Sequence, residues 1–124
     1  MTPRALGPLA SKKTEERRQF RQDENVRDLQ WLLEQPQFRR FVARNYQERC
    51  NAEGLVYDSS GSRMAFNDGR RSIGVELKRE AKAVSRELWA LAEKEWEAAC
   101  DEDEMLIKQA AEQDAAAEER TNVG

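Results

Sequence analysis

The sequence predicts an all-α protein in which a short helical hairpin packs on one long C-terminal helix. Apolar residues recur with helical spacing between positions 66 and 91, which is the strongest single indication. Of three prolines and six glycines, only Pro36, Gly69 and Gly74 lie outside the first eight residues, the 54–61 loop and the last position. The rest is therefore almost free of helix breakers. No segment alternates apolar and polar residues between turn signals, which argues against a β-rich fold.

Length and composition indicate one domain with a thin core. The chain has 124 residues, of which 36% are charged and 39% hydrophobic. We predict a disordered basic arm over residues 1–20, a helical domain over 21–99 and an acidic, Ala-rich extension over 100–124.

The net charge of −3 hides an uneven distribution along the chain. Residues 1–27 carry seven Lys/Arg against four Asp/Glu, a balance of +3, and residues 28–99 carry twelve of each. Residues 100–124 carry two against eight, a balance of −6. The basic arm would suit nucleic acid or an acidic partner, although so small an excess is also typical of a solvated tail.

Two helices are predicted before the 54–61 loop. The first spans about 21–34, and Pro36 then begins a second over about 37–53, with Gly54 as the residue that ends it. The apolar side of the second helix consists of Phe38, Phe41, Val42, Tyr46 and Cys50.

Four arginines of the second helix are the best nucleic-acid candidates in the ordered region: Arg39, Arg40, Arg44 and Arg49. Arginine is also an ordinary exposed helix former, and it suits the negative end of a helix dipole. The pattern therefore fits either a phosphate-binding face or a solvated one.

The longest helix is predicted over residues 62–99, after a turn whose serines can cap its first N–H groups. Its core-facing stripe is predicted to be Phe66, Ile73, Leu77, Ala81, Val84, Leu88 and Leu91. Loop residues Leu55, Val56 and Tyr57 are expected to fold back over the core. Gly69 and Gly74 each cost the helix about 1 kcal/mol relative to Ala, which indicates close approach of a neighbouring backbone or else a poor, kinked helix.

The protruding half of this long helix is expected to contact another chain. A 38-residue helix reaches about 55 Å, roughly twice the length of the second helix. Trp89 and Trp96 lie beside the stripe on the protruding half, where either a partner or the first helix would cover them. A heptad seam also favours self-association, with Leu77, Val84, Leu91, Ala98 and Met105 in one position and Gly74, Ala81 and Leu88 in the other.

The sequence offers no constellation for catalysis. It has no histidine, which excludes a His-based triad and a His-containing zinc site, and it has no Gly-rich phosphate loop. Cys50 and Cys100 are expected to be unpaired helix residues. We predict no enzyme activity, no cofactor and no metal. No apolar run approaches the ~18 residues of a membrane span, so we expect no membrane partner.

A short motif resembles a family of small tailed-bacteriophage proteins named after a Bordetella phage protein. The family pattern is a Ser/Thr-Gly turn followed by Phe-x-x-Gly-Arg-Arg-x-x-Gly, after a helix that contains Arg-Arg-Phe. The matching residues are Ser60, Gly61, Phe66, Gly69, Arg70, Arg71 and Gly74, with Arg39, Arg40 and Phe41 upstream. The resemblance covers roughly residues 28–80, and the extension from residue 81 lies outside it.

The resemblance implies a phage protein with no assigned reaction, located in the host cytoplasm or in the virion. The expected partners are other phage proteins, and the chain itself. We predict a structural or assembly protein that docks through Trp89 and Trp96; the alternative is a DNA-binding accessory of packaging or regulation. Arg70 is expected to bond an acid or carbonyls of the second helix, or else to reach a phosphate or partner carboxylate together with Arg71.

Overall fold

The computed structural model describes residue 5 and residues 7–122, and its described part is almost entirely helical. The elements are α1 (Pro8–Glu34), α2 (Pro36–Arg44), a π-helix (Asn45–Arg49) that continues α2, α3 (Gly61–Val84) and α4 (Arg86–Asn122). No strand occurs in this part of the chain. The all-α class with a long C-terminal helix is confirmed.

Helix α1 begins at Pro8, so the prediction of a disordered arm is wrong for residues 8–20. Pro8 is well placed in a first turn, and ion pairs within the helix support the polar stretch that follows: Glu15–Arg18 at 2.7 Å and Arg21–Glu24 at 3.1 Å. Residues 1–4 and 6 of the predicted arm lie outside the described residues.

Helix α2 ends earlier than predicted, and its terminating residue is not Gly54. The amide of Cys50 donates to the carbonyl of Asn45 over 2.8 Å, which widens the last turn into the π-helix. The chain then leaves the helix at Asn51, whose φ of 47° lies in the left-handed region. Asparagine tolerates that region better than most residues, so it takes the place predicted for glycine.

The turn before α3 contains the serine cap that the sequence predicts. Ser60 is the N-cap, and its hydroxyl accepts a bond from the Arg63 amide. The loop before it does not fold over the core as predicted, and of its three apolar residues only Val56 is partly buried. Leu55 and Tyr57 are exposed, because Cys50 and Ala52 already close the core against Gly74.

The predicted long helix is broken at Ser85. This residue is extended, with φ −158° and ψ 108°. Its amide donates to the Ala81 carbonyl at the end of α3, and its hydroxyl accepts from the Leu88 amide at the start of α4. One serine thus ends one helix and caps the next, and α4 packs on α2 and α3.

The core lies where α2, the π-helix, α3 and α4 meet the end of α1. Its buried apolar members are Leu33, Val42, Tyr46, Cys50, Ala52, Ala81 and Trp89, bordered by Leu29, Phe38, Leu77, Val84 and Leu88. The predicted stripe is partly wrong, since Phe66, Ile73 and Leu91 are 68%, 64% and 40% exposed. Close packing of Gly74 against Cys50 and Ala52 rotates α3 so that Gly74 and Ala81, rather than Phe66 and Ile73, face inward.

The predicted heptad seam for self-association is also wrong. Gly74 and Ala81 are buried inside the chain, and Leu77, Val84 and Leu88 border its core. The break at Ser85 then interrupts the repeat, because a seam needs one continuous helix.

The acidic extension is helical through Asn122 as the last third of α4. From Asp101 onward every described residue except Ala116 is exposed. None of the described helices combines the length and apolar character that a membrane crossing requires.

Candidate functional site: a groove between α2 and α4

An open groove of about 700 Å³ lies between α2 and α4. We call it the docking groove. It is lined by Gln37, Arg40, Phe41, Ala43, Arg44, Ala92, Glu95, Trp96, Ala98, Ala99 and Glu102. It brings together one predicted partner contact, Trp96, and two predicted nucleic-acid contacts, Arg40 and Arg44.

Two aromatic side chains give the groove its apolar character. Trp96 on α4 is partly buried, and Phe41 on α2 is half exposed and stacks on Phe38 at a centroid distance of 6.2 Å. Small residues Ala92 and Ala99 on α4 leave space beside the indole. A side chain inserted here would gain apolar contact on both walls.

The prediction that Trp89 contacts a partner is wrong. Trp89 is 2% exposed and packs edge-to-face on Tyr46, with centroids 5.2 Å apart and planes at 89°. Its indole N–H donates to Glu93. The break at Ser85 directs α4 onto α2 and α3, and the Tyr46 side chain then packs on this tryptophan within the core.

Arg39 is also not a nucleic-acid contact, because it is buried beneath the groove. Its Nε donates to Glu95 Oε1 over 2.5 Å, and its Nη1 donates to the carbonyls of Leu33 and Glu34 at 2.9 and 3.0 Å. Those carbonyls end α1 and have no partner within the helix. Arg39 therefore joins α1, α2 and α4 as a structural residue.

The three other candidate arginines remain on the surface. Arg40, Arg44 and Arg49 are exposed, and none forms an ion pair within 4 Å to a described residue. Arg40 and Arg44 line the docking groove, and Arg49 ends the π-helix outside it. Glu95 and Glu102 line the groove as well, so its electrostatic character is mixed.

The motif residues from Ser60 to Gly74 lie on α3 and its N-cap, outside the docking groove. Gly74 makes the predicted close approach, since an added Cβ would lie 2.7 Å from Cys50 Cβ and 2.8 Å from Ala52 Cβ. Gly69 does not, because nothing lies within 4 Å of a Cβ placed there. Gly61 starts α3 after the Ser60 cap.

Of the two motif arginines, Arg70 does not make the predicted bond to the second helix, while contact of Arg70 and Arg71 with a phosphate or partner carboxylate stays a prediction. Arg70 bonds Asn67 of its own helix at 3.2 Å and lies over the Phe66 ring at 5.5 Å, instead of bonding the second helix. Its Nε is buried with no hydrogen-bond partner in the described chain. Arg71 is exposed.

A polar cluster that the sequence did not indicate lies behind Trp89. Lys78 on α3 is 3.5 Å from Glu93 on α4 and 5.6 Å from the ring centre of Tyr46. Tyr46 donates to Glu53 at 3.3 Å. The sequence feature that could have indicated this cluster is the position of Lys78, one helical turn after the tightly packed Gly74.

This cluster shifts two pKa values in the same direction. Burial raises the pKa of the Tyr46 hydroxyl above its ordinary value, with Lys78 opposing and Glu53 adding to the shift. Burial alone would lower the pKa of Lys78, but the neighbouring Tyr46 and Glu93 outweigh it and that pKa is raised too. Both groups therefore hold their protons more strongly in the folded chain.

The described residues contain no group of three or more His, Cys, Asp or Glu side chains placed to hold a metal ion. Cys50 and Cys100 are both unpaired thiols. Partial burial, then Asp103 and Asp101, raise the pKa of the Cys100 thiol. A raised pKa makes this cysteine a weak nucleophile at neutral pH.

The chain matches no protein-family model, no curated protein and no solved structure.

Proposed function

We propose that this protein works by protein–protein contact, as a small structural or assembly-associated protein of a bacteriophage, and that the docking groove is its contact surface. The observation that carries the proposal is the meeting of Trp96, Phe41, Arg40 and Arg44 in one open groove. The proposal assigns no enzymatic step and no cofactor to the chain.

The composition of the groove is that of a protein-binding surface. Tryptophan, other aromatics and arginine are enriched where proteins bind one another, and charged residues such as Glu are more common at the rim. Trp96 is the expected anchor because it is partly buried and flanked by alanines that leave room for a partner's side chain. Arg40 and Arg44 are free to pair with carboxylates of the partner.

The phage assignment has separate support, which is the resemblance of the motif from Ser60 to Gly74. It favours proteins of the phage particle, or of its assembly, as the partners. The host cytoplasm, with the virion as a second location, is the corresponding place of action.

DNA binding is the alternative function, favoured by the exposed and unpaired Arg40, Arg44 and Arg49. Two observations oppose it. Glu102 lies in the same groove and would repel phosphates, and residues 100–124 add a balance of −6.

The first experiment is mass spectrometry of purified phage particles, with chemical cross-linking to identify the neighbouring protein. We expect the chain in the particle or in an assembly intermediate. Binding of the purified neighbour is then measured by calorimetry for the wild type, Trp96→Ala and Trp31→Ala. Trp31 is an exposed tryptophan of α1 outside the groove, and is the matched control.

Trp96→Ala removes the expected anchor and should weaken binding of the neighbouring protein at least ~30-fold, about 2 kcal/mol. Trp31→Ala should leave the affinity unchanged. A parallel titration of a DNA duplex tests the alternative, because phosphate binding weakens steeply with salt. Absence from particles and intermediates, together with tight and salt-sensitive DNA binding that Arg40→Ala and Arg44→Ala weaken, would replace the proposal with the alternative.

A further inference from the structure

Two helical segments extend from the core with exposed side chains, and of their residues only Glu102 lines the docking groove. We call residues 8–21 the α1 arm and residues 101–122 the α4 extension. Every residue of the α1 arm is exposed, and so is every residue of the α4 extension except Ala116, which is intermediate. At about 1.5 Å per residue they are roughly 20 and 30 Å long.

The two segments carry opposite charge. The α1 arm has five Lys/Arg against two Asp/Glu, a balance of +3, and the α4 extension has two against eight, a balance of −6. Neither balance is cancelled inside the molecule, since the ion pairs of the arm, Glu15–Arg18 and Arg21–Glu24, are local to α1. Opposite charges on two exposed helices favour a lateral contact between them.

Each segment also exposes large apolar side chains. Leu9 and Phe20 lie eleven residues apart, which places them on the same side of α1, and both are exposed. Arg17 and Arg21 lie over the Phe20 ring at 4.7 and 5.5 Å, so the aromatic surface and the positive charge coincide.

The α4 extension combines negative charge with exposed apolar side chains in the same way. Met105, Leu106 and Ile107 are consecutive and are 56%, 56% and 69% exposed, directly after four acids. Consecutive apolar residues on a solvated helix cover more than one side of it, so a neighbouring helix can reach at least two of them. Burial of such residues favours association at about 25 cal/mol per Å².

We propose that the α1 arm of one copy pairs with the α4 extension of a second copy. Every chain carries both halves of the contact, so two copies can satisfy it reciprocally, each arm on the other's extension. Like-with-like pairing of two α4 extensions would bring together two balances of −6 and is disfavoured. Apart from Glu102, the residues of this contact lie outside the docking groove and the motif, and the contact does not depend on the proposed function.

The first test is sedimentation equilibrium of the full chain in low and high salt. At ~50 mM NaCl we expect a dimer or larger species. At ~500 mM NaCl we expect the dissociation constant to be at least tenfold higher, because the shorter Debye length screens the attraction between exposed charges. A monomer at every concentration in low salt would overturn the proposal.

The decisive test uses two charge-reversal variants and their mixture. The first variant is Arg17→Glu, Arg18→Glu and Arg21→Glu, which makes both segments acidic. The second is Asp101→Lys, Asp103→Lys, Glu104→Lys, Glu112→Lys and Asp114→Lys, which changes the balance of the α4 extension from −6 to +4 and so makes both segments basic. Each alone should be at least ~10-fold weaker in self-association, because its segments repel.

Mixing the two variants should restore association, since each arm then meets an extension of opposite charge. A misfolded variant could not produce this recovery, and circular dichroism of each variant checks that helicity is retained. The matched control is Arg79→Glu, Lys82→Glu and Arg86→Glu, which makes the same charge change as the first variant at exposed positions near the α3–α4 junction. We expect the control to associate as the wild type does.

The proposal is overturned if either variant associates like the wild type, or if the mixture stays monomeric while both variants are folded. It is also overturned if the control weakens association as much as the two variants do, since net charge alone would then explain the result. Trp96→Ala should leave association unchanged, which separates this contact from the docking groove.

Discussion

At the scale of single residues, the two helix-interior glycines of α3 have different surroundings. Gly74 faces Cys50 and Ala52 so closely that a methyl group would overlap both, whereas Gly69 is open to solvent. The sequence indicated either close approach or a poor, kinked helix, with the same two readings at both positions. The sequence could not distinguish the two glycines, because the distance from each glycine to another segment depends on how the helices pack.

Substitution by alanine should therefore have opposite effects at the two glycines. Gly74→Ala should destabilise the fold by about 1–3 kcal/mol, since the backbones of α3 and the 50–52 segment must move apart. Gly69→Ala should be neutral or stabilise by up to about 1 kcal/mol, because alanine is the better helix former and meets no neighbour. Urea unfolding of the two variants measures both values, and a larger loss at Gly69 than at Gly74 would contradict the described packing.

Arg39 should matter for stability far more than its sequence neighbour Arg40. Arg39→Ala leaves Glu95 and the carbonyls of Leu33 and Glu34 without their donor, which we expect to cost about 2–3 kcal/mol because Glu95 is partly solvated. Arg40→Ala should change the free energy of unfolding by less than about 0.5 kcal/mol. Thermal unfolding of both variants checks this, and equal effects would indicate that Arg39 is not the link between α1 and α4.

At the scale of elements, the junctions between helices determine which surfaces are buried. Ser85 turns the chain so that α4 lies on α2 and α3, which buries Trp89 and creates the docking groove. The π-helix in turn places Tyr46 between Trp89 and Lys78. The groove and the polar cluster are thus both consequences of one break in a predicted helix.

Removing the cap at Ser85 should weaken the fold. Ser85→Ala loses the bond from the Leu88 amide and also favours a continuous helix, so we expect a loss of about 0.5–2 kcal/mol in stability. Ser72→Ala, at an exposed position inside α3, is the matched control and should be neutral or slightly stabilising. Chemical denaturation measures the free energy of unfolding of both variants. A Ser85→Ala variant more stable than the wild type would indicate an uninterrupted helix.

The polar cluster predicts a loss of stability in alkaline solution. The pKa of Tyr46 and that of Lys78 are both raised in the folded chain, so both groups bind protons more strongly in the folded than in the unfolded state. Their contribution is fully present below the ordinary pKa values of 10.0 and 10.5 and is lost as the pH rises through the raised ones.

Urea unfolding between pH 8 and 12 should show this decline, and Tyr46→Phe should make the decline shallower. The variant also loses the bond to Glu53, so its stability is expected to be lower at pH 8 than that of the wild type. An identical alkaline slope in the two proteins would show that Tyr46 does not contribute.

At the scale of the whole molecule, a small core carries two long projections of opposite charge. Helix α4 alone has 37 residues and extends to about 55 Å. The core supports only part of α1 and α4, and the remainder is solvated helix. Such a shape presents a large surface for its size, which suits a protein that acts through contacts.

Small-angle X-ray scattering should find an elongated particle. A compact chain of 124 residues would have a radius of gyration of about 14 Å. With α4 projecting as described, we expect a value of about 18 Å or more. The scattering should be measured in high salt and at low protein concentration, because both conditions suppress self-association. A value near the compact figure would contradict the described projection of α1 and α4.

The sequence by itself determined the helical class, the boundary at Pro36, the capped start of α3 and the separation of basic and acidic ends. These features depend on local chemistry: proline lacks an N–H, serine caps a helix, and charge is a property of composition. Only the tertiary structure decided that Ser85 breaks the long helix, that Trp89 and Arg39 are buried, and that Trp96 shares a groove with Arg40. Those outcomes depend on which helix faces which, and contacts between residues about 40 to 60 positions apart stabilise arrangements that local preference leaves open.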